Sequence, residues 1–236
     1  MSETLVQVVP DAEALASAVA ARFVVTVLDA QAARGSASVV LTGGRIAAKV
    51  LATIKDLPAA RAIDWSRLDL WWGDERFRPA GDPERNETQA RDALLDALPL
   101  DPARVHPMGA SDGPDGDNAE AAAERYAREF GDTHPDMVML GVGEDGHVAS
   151  LFPGHPVAEA TGVAAAVPDS PKPPPTRITL TLPALQRADE VWLIAAGEGK
   201  ADAVGSALSG ADLPAARVHG RRRTLWLLDD QAAAKR

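Results

Sequence analysis

The chain has 236 residues, 46% of them hydrophobic and 25% charged, which is enough apolar content for a real core and no cysteine for disulfides, thiolate nucleophiles or thiolate metal sites. Its 24 basic and 34 acidic side chains leave a net charge of −10, which argues against the positive face that a nucleic acid or an anionic membrane requires. No apolar run approaches membrane-spanning length and the first residues carry no basic region followed by an apolar core, so a cytoplasmic protein is expected. In chain order, Asp11 caps a predicted helix in which Leu15, Val19, Phe23 and Val27 recur every four residues. Residues 38–42 read as a short buried strand that turns at Gly43-Gly44 into a helix over 45–54. A strand over 68–72 runs into Gly73-Asp74-Glu75-Arg76, and helices over 87–98 and 118–130 precede a strand over 137–142. Residues 163–167 are a further strand candidate, and the proline run 168–175 can be neither helix nor central strand. The segment 177–182 alternates with period two. An apolar strand over 191–196 turns through Gly197-Glu198-Gly199 into a helix near Lys200, and a strand over 224–228 closes the set.

Apolar strands alternating with helices predict an α/β fold, a mostly parallel sheet with helices on both faces. Neither repeat nor flexible linker is visible, so one domain spanning residues 1–236 is expected. Ligands of such folds sit beyond the C-terminal ends of the strands, where the strand order reverses. Four predicted strand ends carry polar clusters: Thr42-Gly43-Gly44-Arg45, Gly73-Asp74-Glu75-Arg76, Gly143-Glu144-Asp145-Gly146-His147 and Gly197-Glu198-Gly199-Lys200.

Gly141, Gly143 and Gly146 match the G-x-G-x-x-G of dinucleotide-binding loops. That reading demands a regular helix starting inside the motif, and Pro153 and Pro156 leave room for only about two turns. The glycines instead suit a tight turn that presents His147, with Asp145 two residues away to fix its tautomer. His155 and His147 are eight residues apart, a spacing that is no recognised metal site, and no third ligand is evident, so no metal or cofactor is expected.

The segments Trp72-Gly-Asp-Glu-Arg76, Gly141-Val-Gly-Glu-Asp-Gly-His147-Val-Ala-Ser-Leu-Phe-Pro153, Pro173-Pro-Pro-Thr-Arg177-Ile-Thr-Leu-Thr-Leu182 and Gly197-Glu-Gly-Lys200-Ala together resemble the 6-phosphogluconolactonase family. The resemblance covers essentially the whole chain. It implies hydrolysis of the δ-lactone of 6-phosphogluconate and a Rossmann-like fold shared with the glucosamine-6-phosphate deaminases, without metal or cofactor. By the same resemblance His147 is the general base that activates water, with Asp145 and Asp74 beside it and Arg76 on the substrate or its oxyanion. Arg177 and Lys200 are expected to help hold the phosphate, together with backbone N–H groups of Gly43-Gly44. Family members often carry a hydroxyl residue after the paired glycines, where this chain has Arg45-Ile46. Arg45 then either grips the phosphate as a bidentate donor or points to solvent.

The nearest rival is a glucosamine-6-phosphate deaminase, whose histidine loop carries a glutamate where this chain has Phe152. Phenylalanine exchanges no proton, which disfavours deamination. A second rival is an inactive sugar-phosphate-binding regulator, disfavoured by the intact Asp145 and His147. Beyond a sugar-phosphate lactone no partner is expected, and the chain reads as a monomer or weak homodimer. Of Trp71 and Trp72, one is expected in the core and the other along the cleft. Asp82, Arg85 and Asn86 are candidates for the pocket wall. Arg221-Arg222-Arg223 reads as a solvated basic run, and His106, His134 and His219 as surface or capping residues.

Overall fold

The computed structural model describes residues 3–236. Strand β1 (Glu3–Val9) leads to helix α1 (Ala12–Arg34), whose first turn is closed by the Asp11 carboxylate accepting the Ala14 N–H. The four predicted residues of α1 are buried, so the periodicity that suggested the helix also marks its core face. Strand β2 (Ala37–Leu41) turns at Gly44 into α2 (Arg45–Asp56). Then follow β3 (Leu68–Trp72), β4 (Asp74–Arg76), α3 (Asn86–Ala93), α4 (Ala119–Phe130), β5 (Met137–Gly141), β6 (Ala164–Val167), β7 (Arg177–Leu180) and α5 (Leu182–Leu185). Strand β8 (Glu190–Ala195), α6 (Ala201–Leu208), α7 (Pro214–Arg217) and β9 (Arg223–Asp229) complete the chain.

Six strands form one parallel sheet in the order β1-β9-β8-β5-β2-β3. Its inner strands are mostly apolar, as a sheet covered on both faces requires; all six residues of β8 are buried, Glu190 at its start included. From β2 the chain moves outward to β3, then returns to place β5 on the other side of β2. The order reverses between β2 and β5, which opens a crevice at the C-terminal ends of these two strands.

A second, antiparallel sheet, β4-β7-β6, was not foreseen in the sequence. Gly73 joins the two sheets: its N–H donates to the Leu41 carbonyl at 2.9 Å, and its own carbonyl accepts the Leu180 N–H at 2.8 Å. The residues Asp74-Glu75-Arg76, expected as a strand end, therefore form a short strand of their own, with Arg76 opposite Arg177.

Other boundaries differ for identifiable reasons. Helix α3 stops at Ala93 instead of reaching residue 98, because Pro99 holds Leu98 in an extended conformation and the chain closes with a 3-10 turn, Leu95–Ala97. Strand β7 stops at Leu180 because Thr181 turns to cap α5, whose second residue is Pro183. Neither tryptophan of the pair reaches the cleft. Trp72 is wholly buried, and Trp71 stacks on His106 at 3.8 Å with Phe130 edge-on at 5.0 Å. His106 is therefore a packed aromatic partner paired with Glu129, which corrects its expected surface role.

Candidate active site

A cleft of about 820 Å³ opens at the strand ends where the sheet order reverses. The polar clusters after β2, β3, β5 and β8 all converge there: Gly43, Gly44 and Arg45; Asp74 and Arg76; His147; and Lys200, with Arg177 entering from β7. Asp145 does not line the cleft and stands behind the histidine.

The loop after β5 folds back sharply. The Gly143 N–H donates to the His147 carbonyl at 2.8 Å, the Gly146 N–H to the Gly143 carbonyl at 3.0 Å, and Val148 bridges to Val142. A side chain on Gly143 would collide with the imidazole, since a Cβ there would lie 2.0 Å from His147 Nδ1. The absence of a side chain at Gly143 thus makes room for the ring. His147 Nδ1 and Asp145 Oδ1 are 2.5 Å apart. A carboxylate only accepts, so Nδ1 carries the proton and Nε2 keeps the free lone pair.

Burial pushes the His147 pKa down and the Asp145 carboxylate pulls it up; burial prevails, and the imidazole sits below the usual histidine value. For Asp145 burial pushes upward, but the imidazole and Lys172 pull harder and hold it below the usual carboxylate value. The pair is therefore a neutral histidine oriented by an ionised aspartate. The ring of Phe152, itself buried, packs beside the imidazole.

Asp74 is the centre of a buried network. Its Oδ2 accepts the Ser150 hydroxyl at 2.6 Å and lies 3.8 Å from Arg177 Nη1, while Asn86 Nδ2 donates to its carbonyl at 2.9 Å and to Oδ1 at 3.3 Å. Of the three wall candidates, only Asn86 lines the cleft. Arg85 is buried, bonded to the carbonyls of Arg78, Gly109 and Met108, and Asp82 takes part only in the turn before α3. Arg76 faces the cleft, with one Nη1 proton on the Glu84 carbonyl at 2.5 Å.

Arg177, expected on the phosphate, lines the cleft with its guanidinium engaged by the protein itself. Its guanidinium donates to the carbonyls of Lys172, Pro173 and Pro174, at 3.2, 3.0 and 3.3 Å, and Nη1 turns to Ser150 and Asp74. Those bonds consume most of its donors, so it fastens the proline loop to Asp74. The prolines restrict that loop but give no hint in the sequence that its carbonyls face an arginine.

The other end of the cleft suits an anion. Gly44 precedes α2 with φ 96° and offers no side-chain cap, which leaves the first N–H groups of a 12-residue helix open. Arg45, exposed at the rim, lines the cleft there, as does the half-buried Lys200. Burial lowers the Lys200 pKa, and the nearby Lys172 and Arg45 lower it further against Glu144 and Asp145. Ser150, Phe152 and Lys172 went unnoticed as partners of these groups. Ser150 and Phe152 fall inside the D-G-H-x-A-S-L-F-P string, but Lys172 reaches the site only through tertiary folding.

A parallel sheet with a histidine–aspartate pair and an uncapped helix N-terminus at its switch point makes an α/β cleft with a basic end. The family model described as glucosamine-6-phosphate isomerases/6-phosphogluconolactonase matches residues 10–226, and the chain belongs to that family. It is similar to a 6-phosphogluconolactonase of Streptomyces coelicolor, with 59% identity over 95% of this chain and 92% of the relative. A 6-phosphogluconolactonase of Mycobacterium tuberculosis is 49% identical over 98% and 97% of the two chains. The crystal structure of 6-phosphogluconolactonase from Thermotoga maritima superposes with a TM-score of 0.87 at 25% identity, covering 97% of this chain and all of the other.

Proposed function

We propose that this chain hydrolyses 6-phospho-D-glucono-1,5-lactone to 6-phosphogluconate, the ring-opening step of the oxidative pentose phosphate route, with His147 as general base. The observation that carries the reading is the neutral, Asp145-oriented imidazole at a cleft whose other end is an open helix N-terminus with Lys200. The phosphate binds the N–H groups after Gly43-Gly44, with Lys200 and Arg45, so that C1 of the lactone lies near His147. His147 Nε2 takes a proton from water as its oxygen attacks C1. The carbonyl electrons move to the oxygen, which Arg76 stabilises as an oxyanion. Collapse then breaks the C1–O5 bond, the ring oxygen receives the proton back from the imidazolium, and an acid and a hydroxyl result. General-base catalysis of this kind contributes roughly 10²–10⁴-fold. Asp74, tied by Asn86, Ser150 and Arg177, braces the wall beside the histidine.

A δ-lactone is an activated ester and needs no metal or cofactor for this step. The deaminase alternative is disfavoured by Phe152, which packs against the base at the position where a proton-exchanging glutamate is required. We read the chain as one lactonase-type domain over residues 1–236, acting as a monomer or weak homodimer on a small substrate in the cytoplasm. Among the described residues no helix is long and apolar enough to cross a membrane.

The test is the rate of 6-phosphogluconate formation from freshly generated lactone, corrected for spontaneous hydrolysis and run with chelator. Acceleration that persists with chelator and is lost in His147→Ala supports the reading. An active His147→Ala removes the base, and turnover of glucosamine 6-phosphate in place of the lactone removes the reaction.

A further inference from the structure

The proline loop meets the site at two places, and the mechanism above uses only the first, its hold on Arg177. Ser170 closes the loop on itself: its N–H donates to the Pro175 carbonyl at 2.8 Å, and its hydroxyl donates to the Lys172 carbonyl at 2.9 Å while accepting the Lys172 N–H at 3.3 Å. With the Lys172 carbonyl also bound by Arg177, the backbone of this residue is fixed from both sides. Its side chain leaves that frame and places Nζ 3.3 Å from Asp145 Oδ1. This is the same oxygen that receives the imidazole N–H. Lys172 does not line the cleft, and neither does Asp145. The ammonium therefore meets the base from behind, away from the substrate.

We infer that Lys172 is a positioning residue for the histidine base, fixing Asp145 Oδ1 against the imidazole and opposing protonation of the ring. The inference rests on His147 being the base. Three charged groups act directly on the ring: Asp145 from its own loop, Asp74 from β4 and Lys172 from the proline loop. Both carboxylates favour the imidazolium, and Lys172 is the one cation of the three that disfavours it. Lys200, which lines the cleft, lies within the field of Lys172 and Asp145, and Arg177 lies over Phe152 with Cζ 5.7 Å from the ring centroid. An aspartate tight enough to orient a histidine also tends to keep it protonated, which would remove the base. A lysine on the far side of the carboxylate keeps the orientation while offsetting that field. The pair is two-fifths exposed, so its contribution to folding is small.

The experiment compares wild type with Lys172→Met and Lys172→Arg by NMR titration of the His147 imidazole, its signal identified by its loss in His147→Gln. In Lys172→Met the titration should move to higher pH, and the ratio of kcat/KM at pH 8 to that at pH 6 should rise about threefold, the effect of one nearby charge in a partly solvated site. Lys172→Arg should stay with the wild type, and Tm should change little in both. An unmoved titration, an equal loss of rate at every pH, or a large fall in Tm would each overturn the inference, the last by making Lys172 a structural tie. If Lys172→Met does not fold, Lys172→Gln is read the same way. The titration needs no turnover, so its failure is distinct from failure of the lactonase reading, which an active His147→Ala reports.

Discussion

The ring of Phe152 lies 4.6 Å from the imidazole of His147, centroid to centroid, with the planes tilted by 44°. That apolar face denies water to the imidazole and is one source of the burial that holds the His147 pKa down. With His147 as the proposed base, a lowered pKa leaves it neutral, hence active, to pH values below the ordinary histidine range, and activity is lost only as pH falls through that lowered value. In Phe152→Leu, with a smaller and non-planar cover, the acid limb of kcat/KM should move upward toward that range. A profile identical to wild type would falsify the role given to the ring.

The space around the imidazole is equally exacting on its other side. Because a Cβ on Gly143 would sit 2.0 Å from Nδ1, Gly143→Ala should drive the ring away from Asp145 and reduce kcat by about 10²-fold through lost alignment. Gly43 has the same relation to Asn86, whose Oδ1 a Cβ would meet at 1.8 Å. Steady-state kinetics of Gly143→Ala, with circular dichroism to confirm the fold, decide the point; a folded variant with wild-type kcat contradicts it.

On the proposed reading Lys200, which lines the cleft, anchors the phosphate and takes no part at the bond that breaks. Lys200→Gln should raise KM for the lactone about tenfold, weaken competitive inhibition by inorganic phosphate in parallel, and change kcat little. A fall in kcat without a change in KM would instead place Lys200 on the reacting carbonyl.

Glu75, between Asp74 and Arg76, points away from the cleft and holds the start of α3. Its Oε1 accepts the N–H groups of Arg76 and Asn86 at 2.8 and 2.7 Å, and Oε2 that of Glu87 at 2.9 Å, with Arg85 Nη2 3.7 Å away. Burial pushes its pKa from 4.5 up to about 7, against Arg85 and the three N–H groups. The folded chain therefore binds this proton more tightly than the unfolded chain does. The resulting stability is complete below about 4.5 and is lost as pH rises through about 7. Glu75→Gln abolishes the titration, so the drop in Tm between pH 5 and pH 8 should be smaller in the variant. Equal drops in the two proteins would show Glu75 to be ionised throughout.

The parallel sheet was legible in the sequence because most of its strands are apolar runs followed by glycine, and each polar cluster at a strand end contributes residues to the cleft. His147 and Asp145 were legible for the same reason, being neighbours in one tight loop. What stayed hidden depends on contacts between distant segments. Strand β1 is mostly exposed and has no alternating pattern that a half-buried strand would show, since it is held by β9 from the far end of the chain. Strand β4 is three residues long and exists only because β7 pairs with it. The reach of Lys172 to Asp145 spans 27 residues, and the use of Arg177 on loop carbonyls follows from a loop shape that composition does not encode.

The two rims of the large sheet are finished differently. On β3 the hydroxyl of Tyr126 accepts the Trp72 N–H and donates to the Trp72 carbonyl, both at 2.9 Å, and the His106 N–H covers the Leu70 carbonyl. That rim is thus covered along its C-terminal half. The outer side of β1 has no such cover among the described residues, and Leu5 and Val6 stand there 42% and 39% exposed, with neither lysine nor proline within the strand. Colloidal behaviour then falls to long-range repulsion between copies that each carry −10. Added salt shortens the reach of that repulsion, so concentrated solutions of this protein should thicken or cloud as ionic strength rises, starting from the β1 rim.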